Sequence, residues 1–283
     1  MKLLRYGPKG QEKPGMLDAG GTIRDLSGVI ADLSGDAISP AGLKKLAALD
    51  ANSLPAVSGS PRLGAPVAGM KNLVCIGLNY ADHAAETGAP VPKEPIVFLK
   101  SLGALNGPND DVIIPKNSVK SDWEVELAII IGSKATCVSE DAALDHVAGY
   151  AVGNDVSERE WQIERGGSWD KGKGCDTFGP VGPWLVTKDE VPDPQNLSMF
   201  LDVDGTRMQD GSTRTMIFGV KTIVSYVSHF ITLHPGDVIF TGTPPGVGLG
   251  KKPNPVFLKA GQTMRLGIQG LGEQVQKTVA YSG

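Results

Sequence analysis

The chain has 283 residues, of which 41% are hydrophobic and 20% are charged, proportions that are ordinary for a folded globular protein. Its net charge is −4 and it contains no basic block, which disfavours nucleic-acid binding and attraction to an anionic membrane surface. The first residues lack the apolar core of a signal peptide, no apolar run approaches the length of a bilayer, and the three cysteines form no C-x-x-C pair, so we expect a cytoplasmic protein with reduced thiols.

Residues 1–65 are predicted to form a small N-terminal α+β domain. Gly20-Gly21 is predicted to join two hairpin strands, and Ser39-Pro40 supplies the N-cap and first residue of a short helix. The segment 58–66 has the Ser, Gly and Pro content of a linker, so residues 66–283 are assigned to a second, larger domain. The 37 glycines and 20 prolines are spread through the chain, which favours many short strands over a helical bundle.

A candidate general base follows the apolar strand predicted over residues 73–77. If residues 80–86 are helical, His83 and Glu86 lie three positions apart on one face, so the carboxylate can orient the imidazole and stabilise its protonated form. The alternative is a structural histidine near a helix start. Prolines at 90, 92 and 95 predict a shaped, mobile loop that is able to close over a ligand.

Residues 122–132 are predicted to form a buried strand, because a β-branched run at 129–131 follows alternating residues. Side chains two apart share a face, so Glu124 and Glu126 lie side by side. Asp155 follows a second apolar run, at 147–152, where ligands are often carried. Buried paired carboxylates need a compensating cation, and three oxygen ligands suit Mg²⁺ or Mn²⁺ better than Zn²⁺. The alternative is that both glutamates lie on the solvent face of an edge strand.

Three later segments carry further signals. Ser157-x-x-Glu160 has the spacing of a capping box, which predicts a helix that starts directly after Asp155 and points its positive end at the metal site. Residues 169–183 are predicted to be a Gly-rich loop whose lysines, at 171 and 173, either supply charge to a carboxylate or enolate or lie solvated at the surface. A loop at 241–248 offers hydroxyls and backbone N–H groups to a carboxylate, and an amphipathic helix is predicted within 217–233.

Together these motifs resemble the fumarylacetoacetate hydrolase family. The pattern that carries the resemblance covers roughly residues 70–250 and consists of Gly77-Leu78-Asn79-Tyr80, His83, Glu86, Glu124-x-Glu126, Asp155, Lys173 seven residues before Pro180, and Thr241-Gly242-Thr243-Pro244. The resemblance implies an α+β fold with a mixed β-roll, a homodimer, and a Mg²⁺ or Mn²⁺ held by Glu124, Glu126 and Asp155. It also implies that the segment 83–86 belongs to a lid that orders when ligand binds.

The same resemblance guides the roles expected for individual residues. We expect catalytic roles for His83, Glu86 and Lys173. Substrate contacts are expected for three further residues, Tyr80, Gln162 and Thr243. The glutamine falls seven residues after the aspartate, where some family members place a substrate-contacting glutamine.

The resemblance implies an enzyme that acts on a small 2-oxo acid. A close group, often labelled ureidoglycolate lyase, shares the start at residues 1–7 and the chain length, and its members act in the breakdown of L-rhamnose and L-fucose. We therefore expect a hydrolase that cleaves the C3–C4 bond of 2,4-didehydro-3-deoxy-L-rhamnonate, or of the L-fuconate analogue, to pyruvate and L-lactate. The alternatives are a ureidoglycolate lyase, an acylpyruvate hydrolase, an oxaloacetate decarboxylase and, without catalysis, a 2-oxo acid binding protein. A His–Glu pair beside a chelate favours an enzyme.

Overall fold

The computed structural model describes residues 1–82 and 90–282. The strands in these ranges are β1 Lys2–Tyr6, β2 Lys13–Leu17, β3 Ile23–Asp25, β4 Leu63–Gly64, β5 Leu73–Gly77, β6 Ile96–Lys100, β7 Leu105–Asn106, β8 Val112–Ile114, β9 Ser121–Asp122, β10 Val125–Ile131, β11 Val147–Asn154, β12 Ser157–Glu158, β13 Gly179–Thr187, β14 Ser198–Val203, β15 Thr206–Ser212, β16 Val238–Phe240, β17 Thr263–Ile268 and β18 Gly272–Ala280. The α-helices with described bounds are α1 Pro40–Ala47, α2 Glu140–Ala143, α3 Asp170–Lys173 and α4 Val220–Ser228, and a π-helix covers Glu160–Glu164. Short 3₁₀ turns lie at Gly35–Ile38, Ala51–Ser53, Leu102–Ala104, Leu144–His146, Lys188–Glu190, Thr213–Thr215 and Gly248–Gly250.

Eleven of the described strands form one sheet, in the order β3-β2-β1-β13-β11-β10-β16-β5-β6, with β4 beside β1 and β7 beside β13. Its neighbours run antiparallel except for two parallel pairs, β16–β5 and β13–β7. A second sheet has the order β15-β14-β17-β18-β8, and β9 pairs with β12. The predicted α+β fold with a mixed sheet is therefore confirmed.

Strand β10 lies inside the large sheet and separates two hydrophobic cores. It pairs with β11 on one side and β16 on the other, so the alternative of an edge strand with solvent-facing glutamates is wrong. Leu127 and Ile129 pack in a core shared with the second sheet and α4. Ala128 and Ile130 pack in a core shared with the N-terminal residues. Because side chains alternate along a strand, Glu126 shares the face of Ala128 and Ile130, beyond the end of the second core.

The N-terminal residues join the large sheet directly. β1 pairs with β13, with Leu3 opposite Leu185. As predicted, β2 and β3 form a hairpin, and Ser39 caps α1 by accepting the Gly42 N–H at 3.1 Å. The domain boundary at residue 65 stays a prediction, and the hydrogen bonds between β1 and β13 cross it.

The helix predicted directly after Asp155 starts later than its sequence signal indicates. Ser157 lies in β12, and its hydroxyl donates to the Asp155 carbonyl at 2.9 Å, so the predicted capping box is wrong. The π-helix begins at Glu160, and the Glu158 carboxylate accepts the Trp161 N–H at 2.8 Å. Ser157 therefore pairs in a strand instead of capping the helix.

Two other predicted segments differ in extent or type. α4 confirms the amphipathic helix within 217–233 but covers only Val220–Ser228. Residues 170–173, predicted to be loop, form α3. Within the ranges that the structure describes, no helix combines the length and the apolar character needed to cross a membrane.

A candidate metal centre and active site

Glu124, Glu126 and Asp155 meet where β10 and β11 lie side by side. Each offers one carboxylate oxygen, and these oxygens all lie within 4.8 Å of one another. Glu126 pairs with Gly153 across the two strands, and the Asp155 N–H donates to the Glu124 carbonyl at 2.9 Å. The three residues are between 1% and 5% exposed. The structure therefore brings the three predicted ligands together in a buried group.

Two buried lysines contact this carboxylate cluster. Lys173 Nζ donates to Glu124 Oε2 at 2.6 Å and to Asp155 Oδ2 at 2.9 Å. Lys100 Nζ donates to Asp155 Oδ1 and, at 3.0 Å, to the Val156 carbonyl. Lys173 is 2% exposed, so the alternative of a solvated surface lysine is wrong for this residue. It projects from α3 into the carboxylate cluster.

Arg159 connects the carboxylate cluster to a fourth acidic residue, Asp122. Its Nη2 donates to Glu124 Oε1 at 2.7 Å and its Nε to Asp122 Oδ2 at 2.8 Å. Its Nη1 donates to Gln162 Oε1 at 3.1 Å. Asp122 also accepts the backbone N–H groups of residues 248 and 249, at 2.6 and 3.0 Å. Asp122 thereby fixes both Arg159 and the backbone of this loop.

Glu126 is bound differently from the other two carboxylates. It accepts the Gly242 N–H at 2.7 Å, and no lysine or arginine in the described ranges forms an ion pair with it. Burial and the charges of the two neighbouring carboxylates raise the pKa of Glu126 well above its ordinary value. Burial also raises the pKa of Glu124, but the charges of Lys173 and Arg159 outweigh burial and lower that pKa to about 2.

The charge balance of the cluster leaves a place for one more cation. Within this cluster and with every group ionised, four buried carboxylates stand against three buried cations: Asp122, Glu124, Glu126 and Asp155 against Lys100, Arg159 and Lys173. One negative charge has no matching positive charge, and the contacts place it on Glu126. A buried unpaired anion costs several kcal/mol, and three carboxylate oxygens are a donor set suited to a hard divalent cation. The residues present therefore fit such a metal ion.

The cluster forms one side of a cavity of about 270 Å³, near the lower end of the range of about 300–1,000 Å³ found for small-molecule sites. The apolar residues that line the rest are Ile76, Leu78, Phe98, Ile163, Trp169, Val247 and Leu249. The rings of Phe98 and Trp169 meet edge to face, with centroids 5.3 Å apart. Gly77 leaves room for this pair, because a Cβ there would collide with the Trp169 ring.

Gln162 and Thr243, two predicted substrate contacts, both line the cavity. Gln162 is 4% exposed. The Thr243 hydroxyl donates to the Val125 carbonyl at 2.8 Å and accepts from Gln209 Nε2 at 2.7 Å. That hydroxyl therefore already forms two hydrogen bonds within the fold.

Tyr80, the third predicted contact, does not reach the cavity. It is fully buried, and its hydroxyl donates to Met199 Sδ at 3.4 Å. Tyr80 pairs with Met216 in an isolated β-bridge, which places its ring in the core. The expected substrate contact of Tyr80 is corrected accordingly. His83 and Glu86 lie outside the described residues, and their roles stay predictions.

Sequence analysis missed three residues of the cluster: Lys100, Arg159 and Asp122. Lys100 ends the apolar strand β6, a position where a charged residue is a usable signal. Arg159 lies within the segment predicted to be a capping box and was given no role there, although it follows β12. Asp122 was considered only as the first residue of the strand predicted over residues 122–132. All three contact residues at least 35 positions away in the chain, and such distant contacts leave no local pattern.

Comparison with known proteins gives a consistent set of similarities. The family model described as fumarylacetoacetate (FAA) hydrolase C-terminal matches residues 72–279. A protein of Burkholderia cenocepacia strain HI2424 named "Putative hydrolase" is 67% identical over 278 residues, which is 98% of this chain and 99% of that protein. A solved fumarylacetoacetate hydrolase from Exiguobacterium antarcticum has a TM-score of 0.86 at 34% identity, over 99% of this chain and 100% of that one. A solved maleylpyruvate hydrolase from Sphingobium sp. SYK-6 has a TM-score of 0.81 at 30% identity, with the same coverage.

Proposed function

We propose that this chain, which belongs to the fumarylacetoacetate hydrolase family, is a Mg²⁺- or Mn²⁺-dependent hydrolase that cleaves the C3–C4 bond of a 2,4-dioxo acid. The observation that carries the proposal is the buried group of Glu124, Glu126 and Asp155, whose charge the neighbouring cations do not fully balance. The leading substrate is 2,4-didehydro-3-deoxy-L-rhamnonate, or the L-fuconate analogue, which would give pyruvate and L-lactate. Its support is the sequence resemblance to the group described above.

Lys173 is the proposed charge-stabilising residue. A divalent cation held by Glu124, Glu126 and Asp155 would chelate the 1-carboxylate and 2-oxo oxygen of the substrate and favour release of an enolate. Burial lowers the pKa of Lys173, but the charges of Asp155 and Glu124 outweigh burial and raise that pKa above its ordinary value. Lys173 therefore stays protonated and supplies a fixed positive charge beside the developing enolate, instead of acting as a base.

His83, oriented by Glu86, is the proposed general base. It would take a proton from the water that attacks the C4 carbonyl. The C4–oxygen bond then forms, the C3–C4 bond breaks, and C3 gains a proton, so that the products are pyruvate and the carboxylate derived from C4. This assignment depends on the spacing of His83 and Glu86 in the sequence.

The alternative reactions use the same chelate. Oxaloacetate decarboxylation and ureidoglycolate cleavage need no water addition at a C4 carbonyl, whereas acylpyruvate hydrolysis does. The 30% identity with a protein described as a maleylpyruvate hydrolase favours hydrolysis among these. A 2-oxo acid binding protein is the non-enzymatic alternative.

We also propose a homodimer, on the resemblance alone, and light scattering of the purified protein would test it.

Metal removal tests the proposed function. Protein treated with a chelator should lose turnover of 2,4-dioxo acids and recover it when Mg²⁺ or Mn²⁺ is added. Glu126→Gln should not recover at the same metal concentration. Glu190→Gln is the matched control, since the Glu190 side chain is 46% exposed and forms an ion pair with the N-terminal amine. Full turnover in fully chelated wild-type protein would contradict the metal assignment.

A further inference from the structure

The charged residues that line the cavity belong to one cluster, here called its charged side. The charged lining residues are Glu124, Glu126, Asp155, Arg159 and Lys173. Both cations among them are already engaged. Lys173 binds two carboxylates of the cluster, and Arg159 binds Glu124 and Asp122.

The rest of the described lining, here called the apolar side, adjoins the charged cluster at Phe98, whose ring centroid lies 5.2 Å from Lys173 Nζ; it carries no charged group, and its polar side chains are Gln162 and Thr243. Phe98 and Trp169 form one part of it, as the edge-to-face pair. Leu249 forms another part and is held by its backbone N–H on Asp122. Ile163 is 52% exposed and lines the cavity, so it lies at the mouth. A ligand group that extends away from the carboxylates therefore meets mainly carbon atoms and no charged group of the described lining.

The surface cations near Ile163 add no charge to the apolar side of the cavity. Arg165 pairs with Glu160 at the surface. Lys120 pairs with Glu164. Neither cation lines the cavity. Residues 83–89, which lie outside the described ranges, contain no lysine or arginine.

We infer that the substrate carries a short, uncharged tail beyond C4, and that this site rejects acids with a second carboxylate at that end. The inference rests on the proposed function, which places the 1-carboxylate and 2-oxo group at the charged side. A short alkyl tail gains contact with the apolar side, and the cavity volume of about 270 Å³ limits its length. A second carboxylate there would lose water and find no free lysine or arginine among the described lining residues. Ile163, Trp169 and Leu249 thus determine specificity for the tail.

A matched pair of acids tests the inference. The acids 2,4-dioxoheptanoate and 2,4-dioxoheptanedioate differ only in a terminal methyl group against a carboxylate. Hydrolysis at C3–C4 gives pyruvate from both, with butanoate or succinate, so one pyruvate assay measures both rates. We expect kcat/KM to be about 100-fold higher for the monoacid, since an unpaired anion is costly to desolvate. Equal values, or a preference for the diacid, would overturn the inference.

A cation introduced at the mouth should change this preference. Ile163→Lys should raise kcat/KM for the diacid and reduce the ratio by about tenfold, as expected for one new ion pair. Val29→Lys is the matched control, because Val29 is 46% exposed and does not line the cavity. An unchanged ratio in Ile163→Lys, or an equal change in both variants, would count against Ile163 as a specificity residue.

Binding separates failure of this inference from failure of the proposed function. If neither dioxo acid is turned over, the proposed function fails. The acids 2-oxoheptanoate and 2-oxoheptanedioate lack the C4 carbonyl and cannot be cleaved by this route, and isothermal titration calorimetry in the presence of Mg²⁺ measures their binding. Tighter binding of the monoacid would support the inference in that case. Equal or tighter binding of the diacid would overturn it.

Discussion

Lys173→Met removes the ammonium that lies between Glu124 and Asp155. Its Nζ is 2.6 and 2.9 Å from their oxygens, and the lysine side chain is 3% exposed, so solvent screens the interaction little. Breaking a buried ion pair from one side costs about 3–5 kcal/mol, because the remaining charge is left unpaired. Methionine fills similar space without the charge. In the presence of a chelator, we expect the unfolding midpoint to fall by about 6–10 °C.

Excess Mg²⁺ should return most of the stability lost in Lys173→Met. A cation bound to Glu124 and Asp155 supplies the missing positive charge and stabilises the folded state by mass action. Thermal unfolding with and without metal measures the effect. Lys171→Met is the matched control, since Lys171 lies in the same helix but is exposed, and its ammonium donates to the Arg165 backbone carbonyl. A variant as stable as wild type in chelator, or equally destabilised with and without metal, would refute the reasoning.

Three further predictions concern single residues of the site. The pKa of Glu126 is raised in the folded chain. Above the ordinary glutamate pKa, Glu126 is therefore protonated in the metal-free folded protein but ionised in the unfolded chain. The stability of the metal-free protein falls as pH rises through this range. Metal binding should therefore release about one proton from the wild-type protein and none from Glu126→Gln. Calorimetry in buffers of different ionisation enthalpy measures this release. Metal binding to the wild-type protein without proton release would contradict the prediction. Asp122→Asn should lower kcat/KM at saturating Mg²⁺ by about 10- to 100-fold, because Asp122 holds Arg159, and unchanged steady-state kinetics would exclude that role. His83→Ala should lower kcat by about 10²- to 10⁴-fold while oxalate still binds normally. Normal turnover by this variant would exclude His83 as the general base. A wild-type protein inert toward 2-oxo acids would favour the binding-protein alternative.

The three predicted metal ligands could be found from the sequence because their positions depend on local geometry. Glu124 and Glu126 share a face by the two-residue period of a strand, and Asp155 directly follows the strand that pairs with theirs. The same local rules predicted the hairpin of β2 and β3 and the start of α1 at Pro40.

The positions of Lys100 and Arg159, by contrast, depend on contacts between segments that are distant in the chain. Lys100 reaches Asp155 from β6, and no spacing in the sequence relates them. Local rules also failed where tertiary pairing competed with them. Ser157 fits a helix cap but pairs in β12, and Tyr80 belongs to the motif at residues 77–80 but its side chain lies in the core.

Product analysis in ¹⁸O-labelled water tests the central claim most directly. Purified protein with Mg²⁺ would be offered 2,4-didehydro-3-deoxy-L-rhamnonate, oxaloacetate and ureidoglycolate as competing substrates. We predict pyruvate together with L-lactate that carries the label in its carboxylate, because the attacking water adds to C4 before C3–C4 cleavage. Release of CO₂ from oxaloacetate, or of urea from ureidoglycolate, at a higher kcat/KM would contradict the account.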